Sequence, residues 1–251
     1  MILTKLQGGL GNQLFQWAVS KNLSLIHNTD YYFEMSYFRL NAWGYELDKI
    51  KSIEAKAGIY QPPLREIGDN NHYKKIPDNS FLNGYWQSEK YFMENEKTIR
   101  DGVKFPKELT DYVFNKYPIL NENTLSIHVR RGDYVALKHV HPLQTVEYYK
   151  NAYDIINDNA INVMVFSDDI NWVKENIKFN NINYVTDESN ITDIYIMSLC
   201  KHHIIANSSF SWWGSWLNSN VDKKVIAPIN WFNKSCGVPD HDIVPEDWIK
   251  I

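Results

Sequence analysis

Between Leu125 and Ala227, short runs of β-branched and aliphatic residues alternate with helical stretches, and this constrains the fold more than any other feature of the chain. Strands are expected at Leu125–Val129, Asn162–Phe166, Asn183–Val185, His203–Ala206 and Lys224–Ala227. Helices are expected over Thr145–Asn157, from Ile170, over Asp193–Cys200 and from Ser211 to Leu217. Strands separated by helices pair in parallel and are covered on both faces. The amino-terminal half opens the same way. A strand at Ile2–Leu6 runs into the glycine loop Gln7-Gly-Gly-Leu-Gly-Asn-Gln13, and then a helix follows with the stripe Leu14, Trp17, Ala18, Lys21 and Leu25. Further strands are expected at Tyr31–Met35 and Phe81–Gln87, and a helix over Tyr91–Arg100. Residues 41–80, rich in Gly, Pro and Asn, give no assignment. A short helix between Pro106 and Pro118 places a boundary near 120. The expected architecture is α/β, with two Rossmann-like lobes, 1–120 and 121–251, and a cleft between them.

Composition excludes several classes. Hydrophobic residues make up 44% and charged residues 22% of 251, as in a soluble globular protein. A net charge of −4 argues against a general surface for nucleic acid. Nine Trp and sixteen Tyr suit a sugar or nucleotide ligand, although most are expected in the core. Cys200 and Cys236 make no disulfide framework. The amino terminus does not read as a signal peptide, and no run reaches the ~18 apolar residues of a membrane span. The expected location is cytoplasmic, at most peripheral at the inner membrane face.

Four constellations fall at expected strand ends, where doubly wound sheets bind ligands. His128-Val-Arg-Arg-Gly-Asp133 sends two guanidinium groups out of a buried strand into a glycine turn, with a carboxylate beside them. Arginine matches phosphate oxygens in charge and geometry, so this is the layout of a phosphorylated ligand's site; surface salt bridges are the alternative. Gly8-Gly-Leu-Gly-Asn-Gln13 lets backbone N–H groups approach an anion, or is a tight turn with Asn12 as the helix cap. It has neither Walker A nor dinucleotide spacing. Ser167-Asp168-Asp169 reads as a helix cap, with one aspartate open to a metal role that adjacent carboxylates fit poorly. Asn207-Ser-Ser-Phe-Ser-Trp-Trp-Gly214 clusters hydroxyls where a helix begins, a second anion site or an ordinary cap before a core Trp pair. The pairs His139/His141 and His202/His203 lack the supporting ligands of a zinc site, and the second pair is expected to be structural.

With Gly84-Tyr-Trp-Gln-Ser-Glu-Lys-Tyr-Phe92, Phe166-Ser-Asp-Asp169 and Val225-Ile-Ala-Pro228 added in order, the chain resembles the glycosyltransferase family 11 α-1,2-fucosyltransferases. The resemblance implies a GT-B fold and no metal or cofactor. It implies GDP-fucose as donor to the carboxy-terminal lobe. Transfer would proceed with inversion to O2 of a terminal galactose, on an oligosaccharide or lipid-linked glycan at the amino-terminal lobe. It implies that Arg130 contacts the donor pyrophosphate and serves catalysis, that His128 touches the nucleotide, and that Asp193 reads guanine. Ser209, Phe210 and Ser211 would line the phosphates, and Gly11, Asn12 and Gln13 the sugar. Related α-1,6 enzymes place a glutamate shortly before a His-Pro pair. Here Ala136-Leu-Lys-His-Val140 precedes His141-Pro142 without a carboxylate, which leaves Asp133, His139 and His141 as candidate bases.

Overall fold

A computed structural model describes residues 1–39, 44–59, 63–69, 76–121, 123–156 and 161–251. The chain divides into two compact units, Met1–Pro106 and Lys107–Ile251. The expected boundary near 120 thus falls inside the second unit, which takes in the helix between the two prolines.

The first unit holds β1 (Ile2–Lys5), α1 (Leu10–His27), β2 (Tyr31–Glu34), β3 (Arg65–Gly68), β4 (Ser80–Asn83) and α2 (Glu96–Gly102). Among the described residues its four strands are parallel, in the order β2-β1-β4-β3. β1 is central, with Ile2 and Leu3 fully buried, because a parallel strand is covered on both faces. α1 packs Leu14, Trp17, Ala18 and Val19 into the core and ends at Asn28, whose left-handed backbone (φ 49°) lets its N–H reach the Ser24 carbonyl. Two expectations shift. The strand at Phe81 stops at Asn83, and the helix expected from Tyr91 begins only at Glu96, after two 3₁₀ turns.

The second unit holds α3 (Lys107–Lys116), β5 (Thr124–Val129), α4 (Gly132–Ala136), α5 (Val146–Ile156), β6 (Asn162–Ser167), α6 (Ile170–Asn176), β7 (Ile182–Tyr184), α7 (Asn190–Leu199), β8 (His202–Ile204), α8 (Ser209–Leu217), β9 (Val225–Ala227) and β10 (Ile249–Lys250). The expected last residue of the helix over Thr145–Asn157 lies outside the described residues. Among the described residues its six strands are all parallel, in the order β10-β9-β8-β5-β6-β7. The chain lays β5, β6 and β7 outward, then returns through α7 to place β8 on the other side of β5. The strand order therefore reverses between β5 and β8, and the carboxyl ends of such a pair are where doubly wound sheets bind ligands. The core on one face joins Leu125, Ile127, Val163, Val165 and Ile204 to Tyr149 and Ala152 of α5. His202 and His203 are buried and structural: His202 Nδ1 accepts from the Lys224 N–H at 3.0 Å, and His203 pairs with Asn218 at 2.7 Å.

Helices α7 and α8 pack against each other where Gly214 faces Met197, and a Cβ at Gly214 would stand 2.6 Å from the Met197 Cβ. Gly214→Ala is therefore expected to destabilise the protein by about 1–3 kcal/mol, read from chemical denaturation. A midpoint equal to that of the wild type would show that the helices have room there.

Candidate active site

Every residue of β5 is buried, so the chain leaving it at the reversal point has a fixed starting position. His128 is the last residue but one of β5. Its Nδ1 pairs with the Ser211 hydroxyl at 2.8 Å, its carbonyl accepts the Tyr149 hydroxyl at 3.1 Å, and its ring lies 5.6 Å from Phe210. Burial, aided by the Arg130 charge, pushes its pKa down to about 3, so this imidazole is neutral under working conditions.

Arg130 follows the last residue of β5. One arm of its fork donates to Asp133 at 2.6 Å and the other to Asp168 at 2.9 Å, while the guanidinium lies 5.3 Å from the centre of the Tyr134 ring. Tyr134 in turn donates to the Asn207 carbonyl at 3.1 Å, which ties the β5 turn to the β8–α8 loop. Arg131 points elsewhere. It bonds Asp169 at 3.0 Å and stacks 4.0 Å over Trp172, a structural pairing behind the site.

The two aspartates after β6 thus have separate tasks. Asp169 caps α6, accepting from the Trp172 N–H, while Ser167 accepts from the Asp169 N–H and is not itself the cap. Asp168 accepts the Arg131 N–H at 2.8 Å and presents its other oxygen to Arg130. That approach requires Gly132, because a Cβ there would stand 2.5 Å from Asp168 Oδ2. Among the described residues no three His, Cys, Asp or Glu side chains gather as a metal site requires.

Asn207 to Gly214 behaves as two parts. Ser208 is the N-cap of α8. Asn207 is buried and anchors the loop through the Trp231 carbonyl and Gln144. Ser211, expected at the phosphates, is buried and holds His128, so it positions a ring instead of facing outward. Ser209 and Phe210 remain partly exposed at the start of α8, where orphan N–H groups and the helix dipole favour an anion. Trp212 and Trp213 are core.

Asp193 lies in the first turn of α7, whose N-terminus faces the same sheet edge as that of α8 because both helices run against parallel strands. Its Oδ1 is buried without a hydrogen-bond partner. Burial, with Glu188 nearby, raises its pKa to about 7. Glu188 itself is held by Lys116, Tyr112 and Tyr117. The described residues thus leave one oxygen of this buried carboxyl without a hydrogen-bond partner.

Of the candidate bases, Asp133 is exposed and tethered to Arg130 by one oxygen. His141 stacks on Tyr134 at 4.2 Å with Phe232 at 5.3 Å, and its buried Nδ1 has no partner. Burial lowers its pKa. His139 is exposed.

Gly11, Asn12 and Gln13 belong to the first unit, at the carboxyl end of β1. The helix cap there is Gly9, not Asn12. Asn12 instead accepts from Gln87 Nε2 at 2.6 Å. Gly11 is buried, and Gln13, expected beside the sugar, is buried too: both its amide N–H groups go to the Gly8 and Gly44 carbonyls and its oxygen accepts the Glu46 N–H. Tyr134 and the Asn12–Gln87 pair are not singled out by the sequence. The aromatic residue directly after Asp133 is a signal for the first; nothing local signals the second.

Residues 65–251 match the family model described as Glycosyl transferase family 11. The chain is 31% identical, over 295 residues, to an alpha-1,2-colitosyltransferase of Escherichia coli, covering 100% of this chain and 99% of the relative. It is 29% identical to the O-antigen biosynthesis glycosyltransferase WbnK of the same species, with coverage of 98% and 99%. Among solved structures, fucosyltransferase NodZ from Bradyrhizobium aligns with a TM-score of 0.57 at 12% identity, covering 85% of this chain and 90% of that one. At that identity the likeness is one of fold: two parallel α/β units of the GT-B type.

Proposed function

The chain belongs to glycosyl transferase family 11, and from that premise we propose that it is an inverting α-1,2-fucosyltransferase, moving L-fucose from GDP-fucose to O2 of a terminal galactose without a metal or other cofactor. The observation that carries this reading is the gathering at one sheet edge of Arg130, the start of α8 and the unpartnered Asp193 carboxylate. A carboxylate accepts from both guanine N1–H and N2–H₂, which favours GDP over ADP or UDP. Arg130 and the first amides of α8, with the Ser209 hydroxyl, suit the two phosphates.

In the transfer the acceptor hydroxyl attacks the anomeric carbon, the bond from that carbon to the β-phosphate oxygen breaks, and the hydroxyl proton passes to a base. The leaving GDP gathers charge where Arg130 and α8 stabilise it, so no metal is needed for that step. Asp133 is the base we favour, because it is the exposed carboxylate beside Arg130; His141 and His139 are the remaining candidates.

The identity to a colitosyltransferase favours one second reading, a GDP-colitose donor. Colitose is fucose without its 3-hydroxyl, so the choice rests on a single hydrogen-bonding group. The enzyme is to be incubated with each GDP-sugar and a panel of galactose-terminated free and lipid-linked glycans, and the products read by mass spectrometry with linkage analysis. The expected product carries fucose α-linked to O2 of galactose, and Asp133→Asn loses it. Turnover confined to GDP-colitose would replace the donor, and full activity in Asp133→Asn would pass the role of base to the histidines. No helix among the described residues is long and apolar enough to cross a membrane, so a lipid-linked acceptor is expected to be met peripherally.

A further inference from the structure

Of the five residues of α4, Tyr134 alone is turned inward; Gly132, Asp133, Val135 and Ala136 are exposed. A helix this short does not hold itself in water, so its tertiary contacts set its place. Those of Tyr134 run round a closed path. The Tyr134 hydroxyl donates to the Asn207 carbonyl at 3.1 Å, and Asn207 Nδ2 donates to the Trp231 carbonyl at 2.9 Å. The ring of the next residue, Phe232, lies 5.3 Å from His141, and His141 stacks on Tyr134 at 4.2 Å with 11° between the planes. Asn233 ties the same segments again, its N–H donating to the Val140 carbonyl at 2.8 Å. The phenol stays a donor under working conditions, because burial pushes its pKa up to about 12 against the pull of Arg130. The ring is thus a fixed surface, and the Arg130 guanidinium lies over it, 5.3 Å from its centre.

Two kinds of contact therefore hold Arg130. Its terminal nitrogens bond Asp133 and Asp168 through N–H groups that lie in the plane of the guanidinium. A phosphate binds through the same N–H groups, so a phosphate oxygen that takes one of them displaces a carboxylate. These tethers are exchangeable. The contact with Tyr134 is made against the face of the delocalised cation, and a phosphate at the edge does not compete with it.

We propose that Tyr134 is a positioning residue for transfer: its ring keeps the Arg130 guanidinium in place after a diphosphate has taken the N–H groups that Asp133 and Asp168 hold in the free protein. This role rests on the donor reading above. Arg130 would then change partners on binding without changing position, and the site would keep its preorganised charge through the exchange. Tyr134 acts only through Arg130. Its hydroxyl, bound to the Asn207 carbonyl, anchors the ring and takes no part in the chemistry.

The test compares Tyr134→Leu, which removes the ring, with Tyr134→Phe, which keeps it and removes only the hydroxyl. Each is made in the full-length protein, in the wild-type and Arg130→Ala backgrounds. GDP affinity is measured by calorimetry, turnover with GDP-fucose on galactose-terminated glycans by mass spectrometry, and the unfolding midpoint by chemical denaturation. Tyr134→Leu is expected to weaken GDP binding and to lower kcat, each by about tenfold. Tyr134→Phe is expected to keep both within about twofold of wild type while its unfolding midpoint falls, since only the bond to Asn207 is lost. In the Arg130→Ala background Tyr134→Leu is expected to weaken GDP binding no further, because the two side chains act as one unit. A ring that only packs loops gives losses that add to those of Arg130→Ala, and such additivity would overturn the proposal. So would a Tyr134→Leu protein with wild-type GDP affinity and turnover. If the leucine variant does not fold, the phenylalanine variant decides: GDP affinity lost with the hydroxyl alone would overturn the role given to the ring, and affinity retained beside a lowered midpoint would support it. Wild type that binds no GDP, or Arg130→Ala that binds it as tightly as wild type, would instead overturn the donor reading from which the role of Tyr134 derives.

Discussion

Arg130→Ala is expected to reduce transfer by about 10²–10³-fold, the size of effect seen when a preorganised donor to a developing anion is removed. The reason lies in where the fork is held. Asp168 fixes one arm, and Asp168 is itself fixed by the Arg131 N–H and by the space Gly132 leaves. The guanidinium is therefore held at the carboxyl end of β5 before any ligand arrives, and on the proposed reading its charge would cost no reorganisation when the β-phosphate leaves. The loss should appear in kcat and in GDP affinity together. Stability should change little, since partly exposed ion pairs contribute about 0–1 kcal/mol. Arg131→Ala is the matched control, because that side chain stacks on Trp172 and pairs with the α6 cap. Its effect should fall on the unfolding midpoint more than on donor affinity. Near-wild-type turnover in Arg130→Ala would remove the residue from the mechanism.

The second large effect concerns Asp193. With its pKa raised to about 7 by burial and by Glu188, this carboxyl is mostly protonated at pH 6 in the free protein. Guanine offers two N–H groups, which the carboxylate accepts and the acid does not, so binding selects the ionised form and lowers the pKa. The sign follows: between the ordinary carboxyl value and about 7, GDP-fucose binding releases a proton, and affinity rises with pH until it levels above about 7. The slope approaches a factor of ten per unit, roughly 1.4 kcal/mol. GDP-fucose is the ligand of choice because its substituted diphosphate does not titrate in this range. His128, with a pKa of about 3, adds nothing to the slope. Calorimetry in two buffers of different ionisation enthalpy reads the released proton. Asp193→Asn should remove it, flatten the pH dependence and weaken binding at pH 8 by about 10²-fold or more. A wild-type affinity independent of pH between 5.5 and 8 would show that Asp193 does not meet the base.

Much of the second unit was legible in the sequence because its strands are short, apolar and bounded by polar turns. β5 and β6 fall almost where periodicity puts them, and the four candidate sites all lie at strand ends. The misses have physical causes. β10 is two residues long and carries no pattern of its own. α4 begins at Gly132, a residue that reads as a turn, yet glycine is needed there to admit Asp168 and not to bend the chain. Gln13 sits beside a glycine loop as a ligand-binding residue would, but both its N–H groups are taken by backbone carbonyls, one of them across the distant Gly44 loop. Ser211 carries a hydroxyl at a helix start, and only the fold reveals that the hydroxyl turns inward to a histidine. Asp168 and Asp169 are identical by composition, and which one caps α6 depends on where β6 ends. Tertiary partners decide such cases, and they are separated in sequence by dozens of residues.

The arginine pair that first suggests a magnet for phosphate has a different character once its partners are counted. Arg130 and Arg131 stand among Asp133, Asp168 and Asp169, two guanidinium groups against three carboxylates, on a chain that is itself acidic. Such a cluster projects no positive field into solvent, and a diphosphate approaching from a distance is not drawn toward it. Capture is then a matter of exchange at contact range. On the donor reading proposed above, the ligand would arrive by unassisted diffusion and gain its hold only when a phosphate replaces a carboxylate on a fork already set to receive it. Association of this kind is slower than steered encounter and nearly indifferent to ionic strength, and an anion without guanine and sugar to hold it has little to gain by making the same exchange.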